Sequence, residues 1–433
     1  MKIYKLSPNF TINDLKNNPH LSYKNNRFSD QVTQTTLKII NEVKLKGDKA
    51  LIDFTNNYDN NNFSSPDQLI LSQQEIESYC NETQDDIKEA LKESYNRIAK
   101  FHQKQMPNNN IYYDNINVKL GNIWKPISKI AIYAPGGTAS YPSSVLMSAI
   151  PAIIAGAKDL ILLTPANSNK INPAIIYAAK LCNISKIYKI GGAQAIAAAA
   201  FGTNIIDAVD KIVGPGNSYV ACAKKELYGE VGIDMIAGPT DITIIAQKDI
   251  AKAKWVAIDA ISQLEHGQDS KAFIICDEEN FANEIYTSIN QIVDSQPRKN
   301  IINKSLQNSA IIIVNDINNS AQISNFIAPE HLQIISDNND NLLSKINNAG
   351  AVFLGNYTPE AIGDYIGGPS HTLPTQGNAR FSSGLSVYDF LKRISLIESD
   401  KKSFFKISQH AKKIAQSEGL YAHKLSLEIR NED

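Results

Sequence analysis

The stretch KIAIYAPGG, residues 129–137, is a short apolar run rich in β-branched and aromatic residues, closed by Pro135, Gly136 and Gly137. Such a run, too short for a helix and ended by turn residues, predicts a buried strand feeding a loop. The same texture returns in DLILLTP (159–165), SKIYKIGGAQ (185–194) and DKIVGPGN (210–217), with helical stretches between them. Repetition of strand, loop and helix predicts a mainly parallel sheet covered by helices. Ligands are then expected where strand C-termini meet helix N-termini.

A second series follows the helical segment 249–265: SKAFIIC (270–276), SAIIIV (309–314), HLQIIS (331–336) and AGAVFLG (349–355). The expected fold class is therefore α/β, with two Rossmann-like parallel-sheet domains and helical appendages at both ends. Residues 1–25 are polar and irregular and read as an N-terminal extension. Helical patterns near 30–55 and 83–105 place apolar residues three and four apart. The expected division groups 26–127 with 239–383 as the first α/β domain and makes 128–238 the second. After Gly384 the chain turns charged, and 384–433 is expected to be a helical tail.

A chain of 433 residues exceeds one ordinary core. Its 43 basic and 44 acidic residues nearly cancel, so no global field favours nucleic acid or an anionic membrane. The N-terminal MKIYKLSPNFTINDL lacks an apolar h-region, and no later run reaches the roughly 18 residues of a membrane span. The expected setting is cytoplasmic, with small, weakly charged partners. Cys80, Cys182, Cys222 and Cys276 are scattered, with no zinc-ribbon spacing and no disulfide framework.

Gly136-Gly137, Gly191-Gly192-Ala193-Gln194 and Gly214-Pro215-Gly216-Asn217 each offer bare backbone amides near a predicted helix N-terminus, a geometry suited to phosphate. One such loop equally serves a tight turn without ligand; three in one unit favour a nucleotide. The strict G-x-G-x-x-G fingerprint is absent. Tyr133, Gln194 and Asn217 stand beside these glycines as candidate contacts or as loop stabilisers.

Gln263 and His266 stand i, i+3 in WVAIDAISQLEHG and share a face with Asp259, which would let two donors converge on a metal. A histidine before Gly267 equally suits a capped helix end. In Ala328-Pro329-Glu330-His331 a carboxylate adjoins an imidazole; on extended backbone the two side chains point to opposite sides and could serve two proton transfers. Gly363-Asp364-Tyr365 precedes a long Gly/Pro loop, 367–375, that carries His371. Glu418 and His423 lie in SEGLYAHKLSLEIR near the end.

The motifs IYAPGG, GGAQAIAA, GPGN, AGPTD, SQLEHG, APEHL, GDY, HTLPT and YAHK occur in an order that resembles histidinol dehydrogenase from about residue 25 to the C-terminus. The resemblance implies one Zn2+ per subunit held by Gln263, His266, Asp364 and His423. It implies Glu330 and His331 as the acid-base pair, and Tyr133, Gln194 and Asn217 as NAD contacts. It implies substrate contacts from Thr240, Gln263, His266, His331, Asp364, His371, Glu418 and His423. The implied reaction oxidises L-histidinol through a bound aldehyde to L-histidine with two NAD. The family is a homodimer, which implies that Glu418 and His423 complete the partner's site. Two departures from its pattern stand out: Thr240-Asp241 where Ser-Glu is usual, and Ser370 where Asn is usual. The alternatives are a zinc-dependent hydrolase of a phosphate-bearing substrate and a non-catalytic NAD- or metal-binding module.

Overall fold

The computed structural model describes residues 1–18, 21, 28–136 and 141–431; Gly137 of the first glycine loop lies outside them. In chain order the strands are β1 (Lys2–Lys5), β2 (Asn110–Tyr113), β3 (Lys119–Pro126), β4 (Lys129–Tyr133), β5 (Asp159–Leu163), β6 (Lys186–Tyr188), β7 (Lys211–Val213), β8 (Gly232–Ile233), β9 (Asp241–Ala246), β10 (Lys271–Cys276), β11 (Ala310–Ile313), β12 (His331–Ile335), β13 (Ala351–Leu354) and β14 (Leu391–Glu398). The run that opened the sequence is β4, the centre of a five-stranded sheet in the order β6-β5-β4-β7-β8. A six-stranded sheet has the order β1-β11-β10-β9-β12-β13, and both sheets are parallel throughout.

Alternation along β4 divides its side chains between two cores, as the period of two requires. Ile130 and Ile132 pack with Val145, Leu146 and Ile150 of helix Pro142–Ala155 and with Ile175 and Ile176 of helix Pro173–Leu181. Ala131 and Tyr133 face the alanine-rich helix Gly192–Phe201 on the other side. Ile132 is fully buried; truncation to Ala would cost about 2–5 kcal/mol through lost burial and the cavity left behind.

Helices Asp30–Lys46 and Asp48–Asp59 bring Ile39, Ile40, Val43 and Leu51 onto the second of these cores, and helices Gln73–Glu82 and Asp85–Gln103 bring Ile76, Leu91 and Ile98 onto the first. Residues 30–103 thus cover the five-stranded sheet, although the expected division groups 26–127 with 239–383. An amphipathic stripe states that a helix has a buried face but not which sheet receives it. Two bonds do cross to the other side: Ser94 Oγ donates to the Tyr365 carbonyl at 2.6 Å and Arg97 Nε to that of Ile366 at 2.7 Å.

Both ends of the chain differ from expectation. Residues 2–5 are not irregular; they form β1, the edge strand beside β11. Residues 391–398 are not helical; β14 runs antiparallel to β3, which also pairs with β2. Each is a short segment whose strand character comes from a distant pairing partner rather than from a strong local pattern. Helices Lys401–Ser417 and Tyr421–Glu428 then close the chain. Among the described residues no helix is long and apolar enough to cross a membrane, and the four cysteines are buried and unbridged.

Candidate active site

In the five-stranded sheet the chain runs outward from β4 to β5 and β6 on one side, and to β7 and β8 on the other. The switch point is therefore between β4 and β7. The loops that leave these two strands, Pro135-Gly136 and Gly214–Asn217, line a cavity of about 1050 Å³, as expected for the carboxyl edge of an open parallel sheet. The opposite wall departs from that rule. Thr240, at the entrance to β9, and Glu330 and His331, at the entrance to β12, line the same cavity from the amino edge of the six-stranded sheet.

On the glycine-loop wall, Tyr133 ends β4 and its hydroxyl oxygen accepts from the Gly192 amide at 3.1 Å. Burial pushes its phenol up to about 12, so its own proton stays available to donate. Gln194 is buried in the first turn of helix Gly192–Phe201 and lines the cavity. Asn217 N-caps helix Ser218–Leu227: its Oδ1 accepts from the Tyr219 and Val220 amides at 3.0 and 3.1 Å, which leaves the amide nitrogen for a ligand.

Close approach explains a glycine in each of the three loops. A Cβ on Gly214, whose φ is +117°, would fall on the Tyr133 carbonyl oxygen. Pro165, after β5, fills the space a side chain would need at two other strand ends: a Cβ on Gly136 would lie 2.9 Å from its carbonyl oxygen and one on Gly191 2.6 Å from its Cβ. Behind Gly214 sits a buried ion pair, Lys224 with Asp234. Lys224 Nζ donates to the Gly214 carbonyl at 3.0 Å, and the Gly214 amide donates to Asp234 Oδ2 at 2.8 Å. The pair grips the loop by both backbone groups.

On the opposite wall, Glu330 and His331 are 6% and 3% exposed, so both face the cavity rather than bulk water. The side chains do not diverge as expected. Ala328 adopts a left-handed conformation ahead of β12, and Glu330 Oε2 comes within 3.9 Å of His331 Nδ1. Both report to Asp241, whose amide donates to Glu330 Oε2 at 3.2 Å while its carbonyl lies 3.3 Å from His331 Nδ1. Burial first, then the Asp241 charge, raises the Glu330 carboxyl well above the usual carboxylate range. Burial pulls His331 down to about 4, so its imidazole is neutral at pH 7. A carbonyl can only accept, so Nδ1 carries the proton and Nε2 is the basic nitrogen.

Thr240, Gln263, His266, Asp364 and His371 line the cavity with this pair. The Gln263 amide donates to Thr240 Oγ1, and the Thr240 hydroxyl donates to Glu330 Oε2. Gln263 follows the helical spacing expected, near the end of helix Ala253–Leu264, and His266 falls just beyond its cap. Asp259, expected to share their face, is spent elsewhere, accepting from Gln333 Nε2 at 2.9 Å. His266 is exposed on the cavity wall, yet the protein packed around it lowers its pKa, burial outweighing the pull of Asp364. His371 is held by both ring nitrogens, Nδ1 at 3.0 Å from the Asp364 carbonyl and Nε2 at 3.2 Å from Ser144 Oγ.

The donor set fits a divalent cation. Gln263 Oε1 is buried without a hydrogen-bond partner, and an uncharged amide oxygen so placed is ready to coordinate; His266 and Asp364 add an imidazole and a carboxylate. A further grouping unites His331, Glu360 and Asp364, whose donor atoms all lie within 4.8 Å of one another. Glu418 and His423 do not join them. Both are exposed on the C-terminal helical segment, and neither lines the cavity within one chain.

Of the two departures from the family pattern, Thr240 keeps its hydroxyl in use as described. Ser370 is buried, donating to the Met147 carbonyl at 3.3 Å and accepting from the Thr372 amide at 3.2 Å. Sequence reading missed Glu360, which is 2% exposed and 3.6 Å from His331 Nε2. Burial first, then Asp364, pushes its carboxyl up to about 10. Its spacing of four from Asp364 on one short helix was the available signal.

Over nearly its whole length the chain is similar to known proteins. The sequence pattern of the histidinol dehydrogenase family matches residues 22–431. The chain is 46% identical to histidinol dehydrogenase 1 of Nostoc sp. over 400 residues, 92% of each chain. It is 41% identical to histidinol dehydrogenase of Nitrosomonas europaea over 401 residues, 92% of this chain and 93% of that one. The crystal structure of histidinol dehydrogenase from Elizabethkingia anophelis superposes with a TM-score of 0.94 at 38% identity, covering 100% of this chain and 98% of that one. The hydrolase alternative is not favoured.

Proposed function

The chain belongs to the histidinol dehydrogenase family, and from that premise we propose that it oxidises L-histidinol through bound L-histidinal to L-histidine with two NAD, in the cytoplasm, as the last steps of histidine biosynthesis. The observation that carries the reading is the meeting, in one cavity, of a neutral buried imidazole, a buried carboxyl and a cation-ready donor set with three glycine-rich turns.

His331 Nε2 takes the proton of the substrate hydroxyl, because burial keeps that nitrogen unprotonated and Asp241 fixes the tautomer. NAD, when bound, supplies the hydride acceptor, and Tyr133, Gln194 and Asn217 hold it against the loops. Glu330 activates the water that hydrates the aldehyde, its carboxylate fixed by Thr240 and the Asp241 amide. Gln263, His266 and Asp364 hold one Zn2+, which supplies a template for the substrate's nitrogen atoms. They also contact the substrate, together with Thr240, His331 and His371. His423 and Glu418 serve the site of a second copy in a homodimer, the reading that suits two polar groups left outside their own chain's cavity.

Mixing the zinc-replete, folded protein with L-histidinol and NAD should raise absorbance at the NADH band, two NADH for each histidine formed. No NADH from such a preparation overturns the reading.

A further inference from the structure

Helix Asp48–Asp59 ends on a carboxylate in an unfavourable place. Asp59 is its last residue, beside the left-handed cap Asn60, where the helix carbonyls and macrodipole oppose negative charge, and its last turn holds no basic residue. Among the described residues no ion pair engages it, and its Oδ2 is buried without a hydrogen-bond partner. Burial raises its pKa from 3.8 to about 6, so it remains ionised at pH 7.

The position is held firmly. The Asp59 carbonyl accepts from the Ser168 amide at 3.1 Å. Asn61 Nδ2 donates to the Ala166 carbonyl at 2.7 Å, and Asn56 bonds Phe63 through both its amide groups at 2.8 Å. A purely structural carboxylate so fixed would have a donor beside it; this one instead lines the cavity, on the wall that holds Tyr133 and Gln194. Tyr58, next to it, also lines the cavity, 57% exposed with its ring stacked on Phe54 at 5.8 Å, and so presents a free aromatic face.

A dinucleotide whose reactive ring meets His331 must run its other half along the glycine loops, away from the acid-base wall. Its adenosine ribose carries two neighbouring hydroxyls, which are donors, and its base a flat face that stacks on an aromatic ring. We propose that Asp59 accepts hydrogen bonds from the vicinal hydroxyls of the adenosine ribose of NAD and thereby makes the site choose NAD over its 2′-phosphorylated form. The inference rests on the reading of this cavity as an NAD site. A carboxylate accepts from a diol but repels a phosphate placed on the same oxygen.

The test compares the wild-type enzyme with Asp59→Asn and Asp59→Ala in steady-state kinetics with NAD and NADP and in calorimetric titration with NADH and ADP-ribose. Asp59→Asn should raise KM for NAD about ten- to hundredfold, the scale of a lost charged hydrogen bond, with kcat at saturating NAD within about twofold because no reacting atom is touched. ADP-ribose affinity should fall in parallel, and the NAD-over-NADP preference should drop at least about tenfold. KM for L-histidinol and zinc content should not move, which a general loss of structure would not permit. Should Asp59→Ala fail to fold, the near-isosteric Asn variant decides. Wild-type NADH binding with unchanged KM, ADP-ribose affinity and cofactor preference in Asp59→Asn overturns the proposal alone. Absence of any NADH binding or NAD reduction by the wild type overturns the NAD reading and the proposal with it.

Discussion

Thr240 donates its hydroxyl proton to the Glu330 carboxylate and at the same oxygen accepts the Gln263 amide, so one hydroxyl joins the proposed water-activating group to a proposed zinc ligand. Thr240→Val leaves the buried Gln263 amide nitrogen without its acceptor and takes from Glu330 Oε2 one of its two donors, a penalty of about 1–3 kcal/mol. The expected result is a fall in kcat/KM of roughly ten- to hundredfold, with Thr240→Ser close to wild type. Equal activity in the Val variant would mean that the chain of bonds carries no catalytic weight.

His331 sets a pH limit. Burial holds its imidazole down to about 4, so protonation of the base should cut kcat/KM only below about pH 5, with a slope of one decade per unit. A pH–rate profile with its acid limb near the ordinary histidine value of about 6.5 would assign the base elsewhere.

Lys224 and Asp234 neutralise each other out of contact with water behind Gly214. Lys224→Met leaves the carboxylate buried and alone, which should destabilise the fold by about 3–5 kcal/mol. Adding Asp234→Asn should recover part of that loss. Urea titrations of the single and double variants measure both, and KM for NAD should rise in each because the Gly214 loop loses its grip.

Asp59 gives a stability prediction with a definite sign. Its folded-state pKa of about 6 exceeds the unfolded value of 3.8, so the folded chain holds this proton more tightly, and stability is lost as pH rises from about 4 through 6. Discounted for partial exposure, the loss at pH 7 is about 1 kcal/mol. Asp59→Asn should be more stable than wild type by that amount at pH 7 and indistinguishable below the unfolded pKa. Thermal melts at the two pH values decide it.

A site shared between copies predicts complementation. Chains carrying His423→Ala mixed with chains carrying His266→Ala should regain one intact site in each mixed dimer, up to about a quarter of wild-type activity, since half of randomly paired dimers are mixed. Two inactive parents whose mixture stays inactive after reassociation would count against His423 acting across an interface.

Much of this was legible in the chain. The runs at 129–133, 159–163, 186–188 and 211–213 are apolar on both faces and end in glycine or proline, which a doubly covered parallel strand demands. The site residues stood out because their types and order are chemically unusual together. Sequence was silent where long-range pairing decides: β14 is largely exposed and becomes a strand only beside β3, and β1 only beside β11. Nor does strand order reveal that Glu330 and His331 enter the cavity from an amino edge. Glu360 passed as an ordinary glutamate opening a short helix; its spacing of four from Asp364 was the one hint in the chain, and its burial against His331 is what marks it.

Pro165 occupies the room that side chains at Gly136 and Gly191 would need, so three turns leaving three different strands behave under mutation as a single inherited character. A lineage cannot explore one of these positions while the other two stand still, because the first step already collides. Divergence of the cofactor cradle should therefore proceed by linked replacement, and a library randomised at 136, 165 and 191 should return survivors in correlated sets rather than as independent winners.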